Sequence, residues 1–266
     1  MKIAWARELV AGERSWLVTP DLHLVPKDSV EAAPSVLRRS VWYTTMPAFP
    51  FAITLRDTVA LAGQEAEWPA TSLVPLAAGA FRGGVELASK AGQRAARTAD
   101  GAWIASADIA VFGRRTRPAE VAANEKWLHV RINDGSLVAY EGDRPVFAAV
   151  VSPGMHGANP DGAYRTPTGR FRISAKHITS DMGGTVGQGS WRSRAVPWVA
   201  YFQDGYALHG AWWHDAFGRP RSHGCVNLTP GDARALFQWL EPSLPDGWYA
   251  VRSQPGHEGT VVLITP

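Results

Sequence analysis

Only one stretch of this chain repeats at the period of a helix, and that scarcity constrains the fold more than any other feature. Ala233, Leu236, Phe237 and Leu240 fall at i, i+3, i+4 and i+7, which puts an apolar stripe on a single helix face. Thr229 stands where a cap belongs, Pro230 where the first helical residue belongs, and Asp232 three residues after the cap. Pro242 closes the segment. Elsewhere apolar residues alternate or come in short runs broken by Gly and Pro. At 266 residues the chain can bury a sizeable core, and that core has to come mostly from strands. The predicted class is mostly β with one clear helix.

The strands are clearest from Lys126 onward. Residues 127–132 alternate, Asn133-Asp134-Gly135-Ser136 turns and 137–140 returns; Asp-Gly between alternating runs signals a hairpin. A turn at Glu141-Gly142-Asp143 leads into a third run at 145–151, and the loop Thr166-Pro167-Thr168-Gly169 into a fourth. Residues 196–202 and 205–210 give two more strands, and 248–251 with 260–264 give closing ones. Upstream, 51–113 has the texture of a small β-barrel, 26–50 that of a connector, and 114–118 that of a linker. An offset of 87 residues places Trp16 on Trp103 and Asp21 on Asp108, with Leu17, Leu22 and Leu24 on Ile104, Ile109 and Val111. That match predicts an internal repeat whose earlier copy would begin before Met1. The expected organisation is a partial repeat and connector at 1–40, a β module at 41–118 and a larger β unit at 119–266.

The chemistry is concentrated in residues 209–228. This segment holds the only cysteine, Cys225, and three of the eight histidines, His209, His214 and His223. A lone thiol inside Ser222-His223-Gly224-Cys225, with His209-Gly210 upstream, is a candidate nucleophile with a candidate base. A free thiol titrates near ~8.5, so a histidine that takes its proton and pairs with the thiolate would activate it. Two histidines compete for that role. His223 lies two residues from Cys225, and in an extended segment their Cα atoms are about 6 to 7 Å apart. His209 comes from a separate strand and can approach the sulfur frontally. Gly224 carries no Cβ, which lets a carbonyl come close to the backbone N–H groups of His223, Gly224 and Cys225. One such donor in an oxyanion hole is worth about 3 kcal/mol of barrier. Ser222 and Asn227 would hold this loop, or make ordinary turn hydrogen bonds. Trp212 and Trp213 would wall an acyl-donor pocket, or pack in the core. A zinc site of His209, His214, His223 and Cys225 is the competing chemistry, and no spacing here matches a known ligand pattern.

The segment resembles the signature of the L,D-transpeptidases, cysteine enzymes that cross-link bacterial peptidoglycan. There a His-Gly or His-Ser pair is followed by a spacer, then Ser/Thr-His-Gly-Cys, an apolar residue and Asn or Arg. Here twelve residues (210–221) separate His209 from Ser222, and Val226-Asn227 follows the cysteine. The strand pattern from 125 to 252 resembles that family's catalytic domain, and the pattern upstream resembles SH3-like wall-associated modules. The resemblance implies an L,D-transpeptidase-type β-sandwich preceded by one or more small SH3-like β-barrels. It implies Cys225 as nucleophile, His209 as general base and acid, and the carbonyl of Gly210 as the group that orients His209. Ser222, His223, Gly224 and Asn227 would support the oxyanion hole and its loop, while Trp213, Tyr201 and Arg221 touch substrate. The implied substrate is a peptidoglycan stem peptide, joined 3→3 to a second stem. Capture of the acyl group by water or by a protein amine, and a wall-binding module without catalysis, are the alternatives. The resemblance implies no metal and no organic cofactor.

Bulk properties set outer limits. A formal net charge of +3 is too small to argue for a nucleic-acid partner. Between 161 and 225, however, eight basic residues stand against four acids, and a local excess of that sign favours a carboxylate-bearing peptide. Read one by one, each arginine fits a solvated face equally well. One cysteine excludes an internal disulfide framework and any multi-thiolate metal site. No run approaches ~18 apolar residues, so no membrane-spanning helix is expected. The first eight residues break with charge too early for a signal-peptide core. The implied substrate places the protein in the periplasm or cell envelope, with an export signal expected upstream of Met1.

Overall fold

A computed structural model describes residues 7–19, 22–30, 39–42, 48–61, 73–76, 81–90, 93–155, 164–186 and 189–266. The chain opens with β1 (Arg7–Ala11), β2 (Arg14–Val18) and β3 (Leu24–Pro26), an open three-stranded sheet in that order, followed by a 3-10 turn at Lys27–Ser29. After β4 (Ser40–Trp42) come β5 (Phe51–Thr54), β6 (Thr58–Leu61), β7 (Leu73–Leu76) and β8 (Phe81–Gly83). Then follow β9 (Glu86–Lys90), β10 (Gln93–Arg97), β11 (Trp103–Ala105), a 3-10 turn at Ser106–Asp108, and β12 (Ile109–Phe112). These pair as β7-β6-β11-β10-β9 and β12-β5-β8 around a small core of Ala52, Val85, Ala96, Ile104 and Ile109.

The chain does repeat itself, but at an offset of 79 residues rather than 87. Shifted by 79, β1, β2, β3 and the turn Lys27–Ser29 coincide in their bounds with β9, β10, β11 and the turn Ser106–Asp108. The registers coincide as well: Arg7↔Val18 becomes Glu86↔Arg97, and Val18↔Leu24 becomes Arg97↔Trp103. So do the loop bonds, since Thr19 N–H donates to His23 O at 2.9 Å and Thr98 N–H to Ala102 O at 2.8 Å. Leu22 and Gly101, equivalent at this offset, both have positive φ (64° and 84°). Trp16 therefore matches Ala95 and not Trp103. The paired tryptophans that suggested 87 are a coincidence, because alternation and loop geometry define such a unit while residue identity does not.

The larger unit contains β13 (Lys126–Arg131), β14 (Ser136–Glu141), β15 (Arg144–Val150), β16 (Gly169–Arg172), β17 (Ala175–Val186), β18 (Gly189–Gln203), β19 (Tyr206–Gly210) and β20 (Val226–Leu228). Then come α1 (Pro230–Trp239), β21 (Ala250–Arg252) and β22 (Val261–Thr265), with α1 the one α-helix among the described residues. Two sheets result, β16-β22-β13-β14-β15-β4 and β20-β19-β18-β17-β21. Their facing sides share one core: Leu128, Val130 and Phe147 from the first meet Phe202, Leu208 and Val226 from the second. Ala233, Leu236 and Leu240 add the helix stripe to that core. The intervening residues of the first sheet point the other way, as a period of two requires. Trp127, Tyr140 and Val150 join Phe51, Ile53 and Phe112 in a second core. Both faces of this sheet are thus covered, which is why four consecutive residues of β13 are buried.

Two features exceed the sequence-based expectations. Ser40–Trp42, inside the expected connector, is an edge strand paired with β15, held there because the buried carboxylate of Asp232 accepts from Arg39 N–H (2.9 Å) and from the Ser40 hydroxyl. β17 and β18 form one long hairpin of 12 and 15 residues, where only 196–202 was expected as strand.

Candidate active site

The cysteine and the histidine arrive on neighbouring parallel strands. β19 and β20 pair with Leu208 opposite Val226 and His209 opposite Asn227, so Cys225 sits immediately before β20, as the residue preceding the partner of Leu208. The segment before Cys225 is fixed from behind. Arg221 and Ser222 N–H groups donate to Pro153 O (2.8 and 3.1 Å), and Met155 N–H donates to Ser222 O (3.0 Å). Asn227 exchanges two backbone bonds with Ser152 at 2.8 and 2.9 Å. Gly224 has φ of +118°, and a Cβ there would lie 2.4 Å from Tyr206 Cε1. Only glycine fits.

Each predicted site residue has a definite place. His209 is 3% exposed, and its Nδ1 donates to the Gly210 carbonyl at 3.1 Å, which fixes Nε2 as the free acceptor nitrogen. Burial pushes the His209 imidazole down to about 4 and the Cys225 thiol up to about 11. The resting pair is therefore a neutral thiol beside a neutral imidazole, not the ion pair expected from the sequence. The thiol's hydrogen bond goes to Gly205 O at 3.9 Å, with none to His209. Ser222 Oγ donates to Cys225 O and accepts from Gly224 N–H at 3.0 Å. That engages the Gly224 donor and leaves the N–H groups of His223 and Cys225 without a bond among the described residues. The His223 ring is stacked on Trp191 (4.7 Å, 6°) and meets Tyr164 edge-on at 4.6 Å.

A cavity of about 250 Å³ joins these groups. Cys225, His209, His223, Ser222, Asn227 and Arg221 line it together with Trp213, whose ring lies 5.7 Å from that of His209. Trp212 packs edge-on against Trp213 at 5.6 Å. Tyr201 is not among the lining residues; its hydroxyl bonds Ser180 Oγ at 2.9 Å and its ring packs on the Met182–Val199 cluster beneath Cys225. The remaining wall comes from the long hairpin, through Met182, Trp191, Ser193 and Val196. Sequence reasoning named none of the four as site residues, and placed only Val196 in a strand. The alternation of Trp191 and Ser193 with Arg192 and Arg194 was the available signal. Among the described residues no group of three or more His, Cys, Asp or Glu side chains is placed to hold a metal.

Residues 125–264 match the YkuD family, the L,D-transpeptidase catalytic domain. The chain belongs to that family. Among solved structures it is similar to an L,D-transpeptidase from Stackebrandtia nassauensis, 23% identical over 55% of this chain and 58% of that one (TM-score 0.37). An L,D-transpeptidase from Xylanimonas cellulosilytica is 28% identical over 56% and 64% (TM-score 0.35). One from Mycobacterium smegmatis is 14% identical over the whole of both chains (TM-score 0.42). The first two likenesses span less than two thirds of those chains. No curated protein matches. Among the described residues no helix is long and apolar enough to cross a membrane.

Proposed function

We propose that this member of the YkuD family forms 3→3 peptidoglycan cross-links through a Cys225 thioester, with His209 as the proton carrier. The observation that carries the reading is the shared cavity of the single thiol and a histidine whose tautomer is set by Gly210 O. In the first half-reaction the thiol proton passes to His209 Nε2 as sulfur attacks the carbonyl of the third residue of a stem tetrapeptide. The oxyanion sits against the N–H groups of His223 and Cys225. Its collapse breaks the C–N bond, and D-alanine leaves with the proton from His209. In the second half-reaction the amine of another stem gives a proton to His209 as it attacks the thioester, and the expelled thiolate takes that proton back. The neutral resting pair suits this cycle, because charge develops only while a carbonyl is present to accept it. Residues 41–118 would serve as an SH3-like module alongside a wall substrate in the cell envelope.

Incubation with a disaccharide tetrapeptide and mass spectrometry of the products tests the reaction. A dimer lacking one alanine is expected from the wild type and none from Cys225→Ala, whose fold should be intact. A Cys225→Ala protein that still cross-links overturns the proposal. A monomer shortened by one alanine, formed instead of dimer, would reassign the acceptor to water.

A further inference from the structure

The pairing of β17 with β18 shifts register beside the residues that wall the cavity. Ser180 pairs with Val196 and Met182 with Ser193, so Asp181 alone stands opposite both Arg194 and Ala195. This is a β-bulge, which bends a strand and re-aims the side chains beyond it. Ala195 has a φ of 50°, a left-handed backbone that an alanine keeps only where its surroundings impose it. Asp181 imposes it. Its carboxylate accepts from Ala195 N–H at 3.0 Å and from the Arg192 guanidinium at 3.0 Å. The Ala195 N–H, more than any other contact, holds the carboxyl below its ordinary value. On the near side of the bulge, Ser180 Oγ is tied to the Tyr201 hydroxyl at 2.9 Å.

Beyond the bulge the hairpin brings Met182 and Trp191 onto the site. Both line the cavity with Cys225 and His223, and both pack in the cluster that contains Cys225. Trp191 lies flat on the His223 ring (4.7 Å, 6°). It has room to do so because its cross-strand neighbour is Gly184, where a Cβ would already come within 3.1 Å of Trp191 Nε1. A ring held flat leaves its own residue little freedom, so this stack also steadies the His223 N–H. We infer that Asp181 is a positioning residue for the acyl transfer: by closing the bulge at Ala195 it seats Trp191 over Cys225 and on His223, and so keeps the His223 N–H aimed at the oxyanion. The aim at the oxyanion rests on the proposed transpeptidation; the seating of Trp191 over Cys225 does not.

Two measurements on the full chain test this, and the exposed place of Asp181 lets its variants fold. The first follows turnover of the disaccharide tetrapeptide. Asp181→Ala should lower kcat about tenfold, less than the loss of a whole oxyanion donor, with KM little changed. Asp181→Asn should keep most of the rate, because its amide oxygen still accepts from Ala195 N–H. Trp191→Ala should lower kcat by a similar factor, and adding Asp181→Ala to it should cost nothing further, since both act on one contact. The second measurement is the labelling of Cys225 by iodoacetamide in mildly alkaline buffer, without substrate. Asp181→Ala and Trp191→Ala should each speed it several-fold, with Asp181→Asn close to wild type. An unchanged kcat in Asp181→Ala, losses that add in the double variant, or an Asp181→Asn as impaired as Asp181→Ala overturns the positioning role. So does a labelling rate that Asp181→Ala leaves unchanged. A wild type that turns over no donor overturns the underlying reaction, and the labelling rates then decide the seating of Trp191 by themselves.

Discussion

At Cys225 the decisive quantity is burial. A thiol held near 11 and an imidazole held near 4 stay neutral through the whole physiological range, so the free enzyme should react slowly with iodoacetamide. The expected alkylation rate rises about tenfold per pH unit from 6 to 10 without levelling. A plateau with a midpoint below 8 would instead reveal a thiolate–imidazolium pair. Gly224→Ala should abolish turnover and lower stability by about 2 kcal/mol or more, since the new methyl meets the Tyr206 ring in a left-handed backbone; thermal melting with an activity assay checks both. The candidate residues themselves were legible because Ser222-His223-Gly224-Cys225 is a local pattern. Their protonation and the engagement of Gly224 N–H by Ser222 were not, because both follow from chain segments brought together only by folding.

The elements divide along the same line. Helix α1 and the strands from β13 to β16 were readable to within a residue or so, since capping, alternation and an Asp-Gly turn are written in adjacent positions. Thr229 does accept from Asp232 N–H at 3.2 Å; Thr229→Ala should cost about 1 kcal/mol in urea unfolding. Asp232→Ala should cost more, about 2 to 4 kcal/mol, because its buried carboxylate also anchors Arg39 and Ser40. A loss no larger than that of Thr229→Ala would mean that β4 does not depend on this anchor. The long hairpin escaped notice for a physical reason. Its tip is rich in Gly, Ser and Arg, and its apolar residues face the cavity at single positions, Met182 and Trp191, so no apolar run marks it.

Across the whole molecule, stability is tied to pH by histidines kept neutral in the core. His129 and His209 are 4% and 3% exposed, and burial holds both down to about 4. Unfolded, each binds a proton near ~6.5. The unfolded state therefore carries more protons between pH 6.5 and 4, and stability is full above that window and falls through it with acidification. The expected loss from pH 7 to 4.5 is a few kcal/mol, read as a falling urea midpoint, with a shallower fall in His129→Gln. A midpoint unchanged over that range would contradict buried neutral imidazoles.

The 79-residue repeat also poses a problem of traffic during folding. One polypeptide carries two sets of three strands with interchangeable backbone registers, so β10 could in principle seat itself between β1 and β3, where β2 belongs. Backbone hydrogen bonds do not distinguish the two arrangements; side chains do. Only Thr19/Thr98 and Asp21/Asp100 are shared across 7–30 and 86–109, and Trp16-Leu17-Val18 faces Ala95-Ala96-Arg97 at the equivalent places. That divergence acts as an address label, sending each strand to its own sheet. Making the labels alike, by Ala95→Trp and Arg97→Val together, should slow refolding from urea and add a strand-exchanged population at unchanged chain length.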